Sequence, residues 1–72
     1  MSRHDLDARG LRCPWPALRL ARAMRQAAPG DEVVMTVDDP KTESEIAILS
    51  REHGWTLART ERSDACVLTI AR

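Results

Sequence analysis

Phenylalanine and tyrosine are absent from this 72-residue chain, and glycine occurs only three times. With two tryptophans as its only large aromatic residues, the chain must fill its interior with aliphatic side chains. No run approaches the roughly 18 apolar residues of a membrane span, and "MSRHDLDARG" lacks the apolar centre of a signal peptide. The expected location is therefore the cytoplasm, with no membrane partner. Net charge is also missing: 11 basic residues balance 11 acidic ones, so no overall basic field draws the chain to nucleic acid. Cysteine is scarce. Cys13 and Cys66 lie far apart, the only histidines are His4 and His53, and without a close-spaced ligand pair no metal site is expected. A cytosolic thiol pool would keep both cysteines reduced.

What is present fits one domain, residues 1–72, with one modest core. Repeats, linkers and low-complexity stretches do not occur. The charges are unevenly spread: the first 28 residues hold six arginines against Asp5 and Asp7, and the stretch from Asp31 to Glu45 holds six acids against Lys41. Either a solvated surface or an oppositely charged partner accounts for this.

Periodicity sets the element order. "HDLDA" alternates as a half-buried strand with Leu6 and Ala8 inward, and Gly10 permits a turn. From Pro14 to about Ala28, residues Ala17, Leu20, Ala21, Met24 and Ala28 form a helical apolar stripe that Pro29-Gly30 ends. "EVVMTVD" is a strand with Val33, Met35 and Val37 on one face. A second helix begins near residue 41, capped either by a Thr42–Glu45 box or by Asp39 with Pro40 as its first residue. Its inward side carries Ile46, Leu49 and His53; Gly54 ends it, and Trp55 is placed to fold back on Leu49. "WTLARTE" and "ACVLTIAR" are strands joined by "RSDA", with Cys66, Leu68 and Ile70 inward and the Cys66 thiol buried and inert. The order β-α-β-α-β-β with one-sided strands predicts an α/β two-layer sandwich: a four-stranded mixed sheet with both helices on one face.

One stretch does not read as packing. In "GLRCPWPALRL", Cys13 stands at a chain corner stiffened by Pro14 and Pro16. The thiolate is the reactive form of cysteine, and an ordinary thiol is only a few per cent ionised at neutral pH. If Cys13 is the N-cap and Pro14 the first helical residue, the helix dipole and the adjacent Arg12 favour the anion. A pKa lower by one unit needs about 1.4 kcal/mol, so a modest depression is expected. Because proline has no N–H, the corner offers fewer donors to an anion than a normal helix start. Neither histidine is placed beside Cys13 by the sequence, so no partner base is evident, and a redox pair would need cysteine where Pro16 stands. An inert cap residue remains the competing reading of Cys13.

The stretch "LDARGLRCPWPALRL" resembles the signature of the TusA-type, or SirA-like, sulfur-carrier family, marked by Cys-Pro-x-Pro after a Gly-Leu at the first helix start. Ala23, Gly30, the "VDDP" at Val37 to Pro40, Ile46 and Gly54 extend the resemblance along nearly the whole chain. It implies that Cys13 carries sulfane sulfur as a persulfide, with Gly10, Arg12, Pro14 and Pro16 shaping the helix start. It implies no cofactor. The implied partners are a sulfur donor such as a cysteine desulfurase or rhodanese and a sulfur-acceptor protein, in tRNA thiolation, sulfur oxidation or a molybdenum-cofactor pathway. Members serving tRNA thiolation act through protein relays, so no direct contact with nucleic acid is implied. Trp15 fills the variable position and points away from the apolar stripe; with Arg12, Arg19 and Arg22 it forms a candidate docking surface, the alternative being that it folds onto the domain edge. Glu45, where such proteins more usually carry aspartate, is read as an exposed helix-face residue. The competing function classes are a regulatory or interaction domain without sulfur chemistry and an RNA-binding module of the same fold.

Overall fold

The computed structural model describes residues 2–72. Its elements are β1 (Arg3–Asp7), α1 (Trp15–Gln26), β2 (Glu32–Val37), α2 (Pro40–His53), β3 (Thr56–Glu61) and β4 (Cys66–Ala71). The sheet order is β1-β2-β4-β3, with β1 parallel to β2 and the remaining pairs antiparallel. This is the mixed four-stranded α/β arrangement that the periodicity predicts.

Alternation in β2 and β4 decides which face is covered. Val33, Met35 and Val37 stand opposite Ile70, Leu68 and Cys66 in the register, and all six are buried. Leu20 and Met24 of α1 and Ile46 of α2 join the same cluster, which places both helices on that one face. The intervening Val34, Thr36, Val67 and Thr69 are only half-buried on the other side.

Helix ends depart from expectation at the end of α1 and at His53, and agree with it at both caps of α2. The α1 helix stops at Gln26, short of Ala28, because Ala27 turns extended and the Asp31 carboxylate takes the Ala28 N–H. The residue buried there is Ala27, and Ala28 is exposed. At the start of α2 the Asp39 carboxylate accepts from the Lys41 N–H, with Pro40 as first helical residue, so the Asp39 alternative holds. Thr42 is buried instead of capping. Gly54 ends α2 at φ 70°, as the sequence suggests. His53, by contrast, is exposed, and its ring stacks on Trp55 with centroids 4.4 Å apart. Trp55 thus covers the edge of the core from the side of His53.

Asp31 ties the chain start to the turn before β2. Its carboxylate accepts from the Ser2 N–H at 2.8 Å and the Ala28 N–H at 3.0 Å, and contacts His4 Nε2 at 3.1 Å. The His4 contact, followed by the two backbone donors, lowers the Asp31 carboxyl to about 2. A carboxyl depressed in the folded state adds stability above its unfolded value, about 3.9, and that contribution fades as pH falls through the folded value. Asp31→Asn should therefore be less stable than the parent at pH 7, and urea unfolding should show the difference shrinking between about pH 4 and pH 2.

The Ser50 hydroxyl is buried with no hydrogen-bond partner among the described residues. Removing an unpaired buried polar group while improving helix propensity stabilises, so Ser50→Ala should raise unfolding free energy by about 1 kcal/mol. Leu20→Ala, which empties a fully buried site, should lower it by about 2–5 kcal/mol in the same urea titration.

Candidate functional site

Parallel strands send their following loops out at the same end of a sheet. The β1–α1 loop, which carries Cys13, therefore lies beside the β2–α2 loop, which carries Asp38 and Asp39. One further ladder bond, Ala8 N–H to Thr36 carbonyl at 2.8 Å, extends the pairing past β1. Gly10 then turns at φ 76°, and its N–H donates to Asp38 Oδ1 at 3.1 Å, which bridges the two loops. Leu11 packs against the core and anchors the corner.

Beyond that anchor the chain makes a tight turn in which the Trp15 N–H donates to the Arg12 carbonyl at 2.9 Å, with Cys13 and Pro14 at the central positions. The Cys13–Pro14 peptide bond is cis. Pro14, not Cys13, is the N-cap, so Trp15 is the first helical residue and the buried Pro16 the second. The helix thus starts one residue later than predicted. Pro14 and Pro16 have no N–H, and the N–H of Trp15 is already bonded to Arg12. The donors with which a helix start normally holds an anion are accordingly reduced near the exposed Cys13.

The electrostatics follow from that geometry. Glu45 is half-buried on the second turn of α2, and its influence reaches the Cys13 thiol. By taking the thiol hydrogen, and with added effects of burial and of its charge, Glu45 pushes Cys13 above the ordinary thiol range. This reverses the predicted depression. The dipole argument assumes an N-cap cysteine, and Arg12 instead supplies its backbone carbonyl to the turn. The sequence disguises Glu45 because its spacing from Thr42 suggests a cap. Its place beside Ile46, on the margin of the inward stripe, is the signal that could have located it.

Around the thiol, Trp15 and Leu18 are 59% and 53% exposed. With Leu6, Arg19, Arg22 and Ala23 they line an open groove between α1 and β1. Trp15 thus lies away from the core, in the direction expected from its helical angle. Sequence reasoning misses Leu18, although it falls three residues after Trp15 on the same helix side. Among the described residues, Arg12, Arg19 and Arg22 form no ion pair. His4 contacts Asp31 and His53 stacks on Trp55, so neither is engaged at the thiol. Cys66 is a free thiol, buried in β4 and pushed up first by burial and then by Glu43. No cluster of three or more metal-ligating side chains occurs among the described residues. No described helix is long and apolar enough to cross a membrane.

Comparison with known proteins adds two findings. The family described as Sulfurtransferase TusA matches residues 4–72. The crystal structure of a SirA-like protein from Desulfitobacterium hafniense superposes with a TM-score of 0.85 at 24% identity, covering 97% of this chain and 95% of that one. At that identity the second finding concerns the fold.

The Gly10 corner is testable by itself. A Cβ at Gly10 would meet nothing within 4 Å, so any penalty comes from the positive φ. Gly10→Ala should lose about 1–2 kcal/mol in urea unfolding. D-alanine at the same position, introduced by chemical synthesis, should match the parent.

Proposed function

Because the chain belongs to the TusA sulfurtransferase family, we propose that it is a sulfur carrier in which Cys13 accepts sulfane sulfur as a persulfide and relays it to an acceptor protein. The observation that carries this reading is the setting of Cys13: an exposed thiol on a braced turn, with no histidine at hand and no enclosed pocket around it. Such a thiol is poorly equipped to process a small substrate alone. It is well placed to enter the active site of another protein. A cysteine desulfurase or rhodanese is the class of donor that suits it, and a thiolating enzyme or a further carrier the class of acceptor.

The groove beside the thiol is the proposed docking surface. Trp15 and Leu18 offer apolar area on the helix that follows Cys13, and Arg19 and Arg22 line the same groove. Arg12 precedes the thiol in the chain, and none of the three arginines forms an ion pair among the described residues. Aromatic and arginine side chains dominate binding energy at interfaces, and exposed ones near a transfer site suit a partner with an acidic rim.

Incubation with a cysteine desulfurase and cysteine, followed by intact mass measurement, tests the assignment. One sulfur atom should add, be removed by reductant, and fail to add to Cys13→Ser while still adding to Cys66→Ser. Trp15→Ala should slow charging at least tenfold. Charging that survives in Cys13→Ser would overturn the assignment.

A further inference from the structure

The sheet order ends on β1, so one side of that strand has no neighbour among the described residues. Which backbone groups face outward follows from the bonds at its two ends. The Ser2 carbonyl accepts from the Glu32 N–H at 3.0 Å, and the Ala8 N–H donates to the Thr36 carbonyl at 2.8 Å. In an extended strand the N–H and C=O of one residue point the same way, and successive residues alternate. Ser2, His4, Leu6 and Ala8 therefore bond toward β2, and the N–H and C=O groups of Arg3, Asp5 and Asp7 form the free edge. Edges of this kind recruit further strands unless they are covered or blunted.

The charges on β1 do not blunt it on the helix side. Arg3 pairs with Asp5 and Arg9 with Asp7, and by the same alternation the Arg3, Asp5 and Asp7 side chains occupy the sheet face that no helix covers. On the helix side the edge opens onto the groove between α1 and β1. There Leu6, Trp15 and Leu18 are apolar, Arg19 and Arg22 are cationic, and no acidic residue joins the lining. The opposite edge, β3, differs: Arg59 pairs with both Glu43 and Glu61, so its charges are already matched.

Resting on the docking role of this groove, we propose that a partner protein binds by adding an extended acidic segment to β1 as a fifth strand.

An added strand lies about 4.8 Å from β1 and bonds to the outward groups of Arg3, Asp5 and Asp7. Its alternate side chains then turn toward α1, where apolar ones meet Trp15 and Leu18 and carboxylates meet Arg19 and Arg22. Main-chain bonds supply affinity, and the groove selects the sequence. Because α1 returns antiparallel to β1, Trp15 stands at the Asp7 end of the groove and Arg22 toward the Arg3 end. The added strand therefore leads to the sheet end that carries the Cys13 turn. A second copy of this chain is a poorer occupant. Joined edge to edge, two copies would set Arg19 and Arg22 of one α1 against those of the other, opposing like charges.

The test titrates the full isotope-labelled chain with a short blocked peptide in which threonine alternates with glutamate, leucine and glutamate. Nuclear magnetic resonance reads amide exchange. Exchange at Arg3, Asp5 and Asp7 should slow by about tenfold or more at saturation, while His4 and Leu6, already bonded to β2, change little. A peptide with lysine in place of glutamate should bind about tenfold more weakly, and Arg19→Glu combined with Arg22→Glu should reverse that preference. Asp5→Pro removes an outward N–H from an edge strand, where proline is tolerated, and should abolish binding. Asp5→Ala, which removes only the side chain, should keep it. If Asp5→Pro unfolds, N-methylation of Asp5 by chemical synthesis blocks the same N–H with the side chain intact. Binding that leaves exchange at Arg3, Asp5 and Asp7 unchanged, or that survives the blocked edge, would overturn strand addition. So would absence of binding, or protection of these amides by self-association without peptide. Failure of a cysteine desulfurase to charge the parent chain would overturn the carrier role and leave the added strand standing, since the titration involves no sulfur.

Discussion

The parallel pairing of β1 with β2 is the constraint on which the rest depends. It runs from Arg3 opposite Glu32 to Asp7 opposite Thr36, and Ala8 extends it by a further bond. Because both strands run the same way, both following loops emerge at one end, and α1 and α2 then return over the same sheet face. The "VDDP" segment serves both loops: Asp38 takes the Gly10 N–H of the first, and Asp39 caps the helix that begins the second. A one-residue slip of β1 would turn Leu6 and Ala8 away from the core and separate Gly10 from Asp38. The placement of the Cys13 turn beside the start of α2 is thus a consequence of sheet register, although neither lies in the sheet.

Within that frame the two prolines do something different from what a helix start usually does. They stiffen the turn at the expense of donors, so Cys13 gains a defined position without gaining anionic stabilisation. For an enzyme nucleophile this would be a poor arrangement. For a carrier it has a use, since the sulfur must neither react early nor leave early. A less acidic thiol ionises less, and as a leaving group it departs more slowly. Both properties suit the proposed carrier role.

Much of this is legible in the residues. Alternation in "EVVMTV" and "CVLTIA" identifies the buried faces of β2 and β4, and Gly54 marks the end of α2 because a left-handed residue is needed there. The fold follows from such local patterns because they agree with one another. The site is legible only in part. Cys13 stands out through its prolines, but which residue caps the helix depends on the turn closed by Arg12 and Trp15, a hydrogen bond that no periodicity encodes. Glu45 is hidden for a related reason. Its neighbour across space is far away in the chain, and its spacing from Thr42 matches a local motif that the Asp39 cap displaces. Ala27 and His53 show the same limit at helix ends, where side-chain partners such as Asp31 and Trp55 override the helical angle.

The two sides of α1 finally explain why so small a chain can hold a site at all. Leu20, Met24 and Ala27 secure the core, while Trp15, Leu18, Arg19 and Arg22 project the other way and are spared by it. A domain of this size has one modest core and little stability to spare, so burying a charged, catalytically complete centre would weigh heavily on it. Leaving the thiol on the rim, with apolar area on the helix that follows it, suits the proposed role, in which a docking partner meets the remaining requirements. On the proposed carrier role, the chemistry is divided between chains because the fold that presents Cys13 has no interior left in which to complete it.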